Sequence, residues 1–167
     1  MTSPKSGRLV LLTIGALCFL PACSDDVSAP SEPAIPTMTL AQLRSAPEML
    51  DLARQDYSLE AYLWRDFMPI APSDGHPLVA VARLASLDQE PIPGDVELVY
   101  LWVINGNRVW STAFSDGVET PDNVIERYAY NGPKWGPGIS VDVVVGVQVG
   151  RALRLVRAPA QPIHRTD

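Results

Sequence analysis

Basic residues are scarce: 13 Lys and Arg stand against 19 Asp and Glu in 167 residues, a formal net charge of −6. That balance argues against a nucleic-acid surface, which needs clustered cations to displace counterions from phosphates. Histidine is scarcer still. His76 and His164 form no pair at helix or strand spacing that would hold a metal ion. No Gly-x-Ser-x-Gly elbow is present for a nucleophilic hydrolase, and Ser115-Asp116-Gly117 lacks the alternating acids of a calcium loop. Long charged runs are absent, which removes the coiled-coil class. No motif calls for a cofactor, and no catalytic residue is identified.

Apolar runs long enough to stay in a bilayer are also missing. The one candidate, residues 9–20, would span about 18 Å as a helix, well short of the roughly 30 Å hydrocarbon core. Lys5 and Arg8 precede it without an acid, so residues 1–22 read as a secretory signal with a positive start and a short apolar stretch. The signal ends in Leu20-Pro21-Ala22-Cys23.

This tetrapeptide resembles the lipobox of bacterial lipoproteins. The resemblance implies cleavage after Ala22 and diacylglyceryl attachment to the Cys23 thiol, with Pro21 departing from the commoner small or hydroxyl residue. Several acyl chains suffice for stable anchoring in a membrane. Ser24 after the cysteine resembles lipoproteins sent on to the outer membrane, where a bacterium has one. Loss of residues 1–22 takes two bases and no acid, so the exported chain is more acidic still. Cys18 leaves with the signal and Cys23 is acylated on this reading, so it also implies no disulfide, no thiol catalysis and no Cys-ligated zinc. The implied location is the cell envelope, with the membrane as one partner and an envelope protein or glycan as the other.

What the chain does have is 47% hydrophobic residues, 16 Pro and 11 Gly, the composition of one foldable, turn-rich domain. Residues 23–47 read as an acylated start, a proline-containing linker and a short helix, with Thr39 as N-cap and Pro47 as stop. Residues 48–167 read as the domain and a short tail. Tyr57, Leu59, Ala61 and Leu63 alternate with Ser58, Glu60, Tyr62 and Trp64. Ile139, Val141, Val143, Val145, Val147 and Val149 alternate likewise, the period of half-buried strands. Further strands are predicted over 78–87, 96–104, 108–114, 124–130 and 152–157, with Met49–Ala53 as hairpin partner to the first and Pro159 and Pro162 ending the set. Asn105-Gly106 predicts a two-residue hairpin loop, which would set Trp102 opposite Val109 and Leu101 opposite Trp110.

Seven or eight short strands with almost no helix predict an all-β domain, an antiparallel two-sheet sandwich, with a small barrel as the alternative. Its size, strand count and apolar Trp102 on a central strand are similar to immunoglobulin-like and fibronectin-type domains, without their cysteine pair. Architecture carries no ligand with it.

Candidate binding residues centre on Asn131-Gly132-Pro133-Lys134-Trp135-Gly136-Pro137-Gly138, where Trp135 sits in a rigid loop with Lys134 and Tyr130 nearby. Trp135 either stacks on a ligand or folds inward to plug the domain, and Trp64 and Trp110 carry the same alternatives. His76 and His164 read as loop residues outside the strands. The leading function is a non-catalytic envelope adaptor presenting a sheet edge or loop surface to a protein. The alternative is a carbohydrate- or peptidoglycan-binding module, which would follow if several of these rings share a face. An envelope hydrolase is the third reading, and no motif supports it.

Overall fold

The computed structural model describes residues 34–52 and 54–167. The expected signal segment, Ala22 and Cys23 lie outside the described residues. Among the described residues, one short helix, α1 (Leu40–Arg44), precedes nine strands: β1 (Met49–Leu52), β2 (Gln55–Asp66), β3 (Leu78–Ser86), β4 (Val96–Asn105), β5 (Arg108–Ala113), β6 (Asp116–Gly117), β7 (Val124–Gly132), β8 (Ser140–Val149) and β9 (Ala152–Thr166). The protein is therefore mostly β, as its period-two patterning predicts.

The strands form one curled sheet in the order β5-β4-β8-β9-β2-β3-β7-β6, with β1 folded back on β2. Its two halves share one core. Tyr57 and Leu63 of β2 and Leu78, Ala82 and Leu84 of β3 meet Leu101 and Val103 of β4 and Val143, Val145 and Val147 of β8. Each strand turns one set of alternate residues into this core and the other set outward.

Purely antiparallel pairing fails at one place, and the sheet is mixed. From Ala152 to Pro162, β9 lies antiparallel to β8; from Ile163 to Thr166 it runs parallel to β2. Pro159 and Pro162 consequently do not end the strand set. At the bend Ala160 takes φ 54°, and the β8 ladder shifts register between Val141 and Val143. A bulge asks no ladder N–H of a proline, and the Ala160 N–H donates instead to Asp142 Oδ1 at 3.0 Å. His164, read from sequence as a loop residue, thereby lies in a strand.

The β4–β5 hairpin also turns one residue later than Asn105-Gly106 predicts. Asn105 pairs with Arg108, leaving Gly106 and Asn107 as the loop, with Gly106 at φ 60°. A positive φ at the first loop position only is the type II′ arrangement, which asks for glycine there. The facing pairs become Trp102 with Ser111 and Val103 with Trp110.

The segment ahead of the strands is part of the fold. Thr39 caps α1, as predicted, and Gln42 completes a reciprocal capping box with it. Leu43, fully buried, packs with Ala46 on Trp102, Ile104 and Val144, the outward side chains of β4 and β8. Arg44 Nη2 donates to Gly106 O at 2.6 Å and ties the helix to the hairpin. Trp102 is buried under this cover, outside the shared core. α1 thus covers part of one outer face of the sheet. The face carried by β9, β2, β3 and β7 has no such cover among the described residues.

Candidate functional site: an aromatic groove along β3

On that open face, register decides which side chains become neighbours. Trp64 of β2 stands opposite His164 of β9 and Val79 of β3, and Tyr62 stands opposite Val81. Across β3, Val81 faces Tyr128 and Arg83 faces Glu126 of β7. The ladder slips between Leu78 and Ala80, and Asn131 takes φ 62°, so Tyr130 and Asn131 both turn outward beside Val79. An extra residue at a bulge re-aims side chains in this way, and asparagine tolerates the left-handed region.

The result is a shallow groove made of two neighbouring depressions along β3. Its floor is the small aliphatic pair Val79 and Val81, and its walls are Trp64 and Tyr62 on one side and Tyr130 and Tyr128 on the other. Tyr62 is 49% exposed and Tyr130 39%. One end is a depression of about 330 Å³ lined by Trp64, Asp66, His76, Val79, Tyr130 and Asn131. The other, about 280 Å³, is lined by Glu60, Tyr62, Val81, Arg83 and Glu126. A larger hollow of about 740 Å³ between α1, β1 and β9 contains no aromatic ring.

The rings brace one another. Tyr62 stacks on His164 with centroids 4.7 Å apart and tilts against Trp64 at 5.5 Å, and Tyr128 stacks on Tyr130 at 6.2 Å. The Tyr128 hydroxyl donates to Glu126 Oε1 at 3.0 Å, and that carboxylate holds the phenol above its usual range, with desolvation adding to the shift. Arg83 lies 3.9 Å from the Glu60 carboxylate, so hydrogen-bonding groups close the far end.

A buried cation shapes the near end. Arg65, 3% exposed, donates to His76 O at 2.9 Å, Gly136 O at 2.9 Å, Lys134 O at 3.3 Å and Asp74 O, and its guanidinium lies over the Phe67 ring. One side chain therefore satisfies the carbonyls of two loops, those around His76 and around Trp135, using the fixed fork of guanidinium donors. Lys134 Nζ meets Asp74 Oδ1 at 2.7 Å across the same loops, and this hydrogen bond holds the Asp74 carboxyl below the usual carboxylate range.

The three residues singled out in the sequence part company. Tyr130 lines the groove. Trp135, partly buried, packs against the core, with the Arg108 guanidinium 5.2 Å from its ring centre. Lys134 is paired to Asp74. Trp110 also turns inward and lies against Gly132. Of the tryptophans left open by sequence, Trp64 alone joins Tyr130 on a face. Tyr62, Tyr128 and His164 were not singled out as groove residues. The period-two placing of Tyr62 with Trp64 and of Tyr128 with Tyr130 was the available signal. Among the described residues, no three His, Cys, Asp or Glu side chains cluster as metal ligands would.

Compared with known proteins, the chain matches no family model, no curated sequence and no solved structure.

Proposed function

We propose that this is an envelope lipoprotein, acylated at Cys23, whose folded unit is a non-catalytic carbohydrate-binding module working through the β3 groove. The anchor rests on the Leu20-Pro21-Ala22-Cys23 pattern. The binding function rests on one observation: four aromatic rings flank a small-residue floor on the face that α1 leaves uncovered. Sugars present C–H faces that stack on rings and hydroxyls that need polar partners. The groove offers both, with Glu60, Arg83 and Glu126 at one end and Asp66, His76 and Asn131 at the other. Strand-borne rings braced by neighbours hold their geometry better than loop-borne ones.

For the fold we propose the immunoglobulin-like sandwich. The orders β2-β3-β7-β6 and β5-β4-β8-β9 follow the A-B-E-D and C′-C-F-G sheets of that architecture when the strands from β2 onward are lettered in chain order. Trp102, lying outside the core beneath α1, is a departure from it. The fold itself selects no ligand.

A protein adaptor using β5, the strand that ends the sheet order, is the competing reading. Both are tested with the full chain in detergent, by affinity electrophoresis through gels holding single polysaccharides and by pull-down on cell-wall fragments. Retardation by a glycan that Trp64→Ala abolishes supports the module. No retention on any glycan, with one envelope protein recovered equally by wild type and Trp64→Ala, would replace it with the adaptor.

A further inference from the structure

We infer that the groove takes one uncharged, extended glycan strand lying along β3, clasped from both walls and read over about three sugars. This rests on the carbohydrate reading above and adds the ligand's charge, direction and length.

Direction follows from the walls. Rings rise from β2 and β7 and leave β3 between them, so the open path runs parallel to β3. A chain laid across the strands would have to climb over two ring pairs. The wall strands are two strand spacings apart, about 9.6 Å, which admits one sugar chain between facing rings and not two. Length follows from β3: the four strand steps from Val79 to Arg83 cover about 13 Å, or roughly three hexose units. That stretch is bounded by Asp66, His76 and Asn131 at one end and by Glu60, Arg83 and Glu126 at the other.

Charge follows from the groups around the path. Among the described residues lining the path, Glu60, Glu126 and Asp66 stand against one guanidinium, Arg83, which Glu60 already faces at 3.9 Å. A polymer bearing a carboxylate or phosphate on each unit would meet net negative charge along the groove. An uncharged sugar finds acceptors for its hydroxyls there instead.

The test is isothermal titration of the full chain in detergent with neutral β-1,4-linked glucose and N-acetylglucosamine oligomers of increasing length. Oligogalacturonate serves as the anionic counterpart. Affinity for a neutral series is expected to climb to about three units and then level, as the groove length requires. Oligogalacturonate should bind at least tenfold more weakly at low salt. Tyr130→Ala and Trp64→Ala should each weaken binding about tenfold, the scale of one aromatic contact, with a single cooperative urea transition showing that each variant still folds. Equal affinity for oligogalacturonate, or wild-type affinity in Tyr130→Ala when Trp64→Ala has lost it, would overturn the inference and leave carbohydrate binding standing. So would failure of both neutral series while some other polysaccharide is retained. Failure to retain any glycan would overturn both.

Discussion

The imidazole of His164 lies nearly flat on the ring of Tyr62, with centroids 4.7 Å apart and planes 20° from parallel. The two meet because the end of β9 leaves β8 and runs parallel to β2, setting His164 directly opposite Trp64. The last strand thus supports the first wall of the groove, and the C-terminal residues belong to the site.

Stacking of this kind is worth about 0.5–1.5 kcal/mol beyond area burial. A double-mutant cycle on Tyr62→Ala and His164→Ala, read by urea unfolding, should return a coupling in that range. Additive single-mutant effects would show that the rings do not hold each other in solution.

Arg65 anchors two loops through backbone carbonyls. Arg65→Met should destabilise the protein by about 2–3 kcal/mol, because several part-buried carbonyls of two loops lose a charged donor at once. Arg65→Lys should recover little, since one ammonium lacks the planar fork that reaches both loops. Urea midpoints measure the cost, and faster amide exchange confined to 67–77 and 133–138 would locate it.

A Cβ added at Gly132 would meet Cζ3 of Trp110 at 2.7 Å. Gly132→Ala should therefore cost about 1–3 kcal/mol as an overpacked site. Adding Trp110→Leu to that variant should return part of the loss by vacating the space. Thermal unfolding of the single and double variants checks this, and an unaltered Gly132→Ala midpoint would contradict the contact.

The Asp74–Lys134 pair gives a pH signature. Its hydrogen bond lowers the folded-state pKa of Asp74, so the stabilisation is present above the unfolded carboxylate value and lost as pH falls through the lower folded one. The stability difference between wild type and Lys134→Met should be positive at neutral pH and vanish in acid. Both side chains are largely exposed, so high salt should shrink it as well. A difference that grew on acidification would have the wrong sign.

Sequence period was enough to establish most strands. Tyr57, Leu59 and Leu63 and the alternate valines of β8 turn inward as written, and Thr39 marks the start of α1. Those signals are local: a side chain's face depends on its own strand, and a cap on three neighbours. The hairpin after β4 shows where local reading slips. Asn105, Gly106 and Asn107 supply turn residues in two registers, and the pairing selected Gly106 and Asn107.

By itself, then, the sequence determined a mostly β chain, the inner and outer sets on strands such as β2 and β8, and the lipobox-like Leu20-Pro21-Ala22-Cys23 pattern ahead of it. The tertiary structure alone decided that β9 continues past Pro159 and Pro162 to reach β2. It also decided that α1 covers one face and that β3 lies between the ring-bearing strands β2 and β7. Trp64, Tyr62, Tyr128 and Tyr130 become a groove only through that order. Strand neighbours far apart in sequence are chosen by how the whole sheet buries its apolar faces, and no local period encodes that choice.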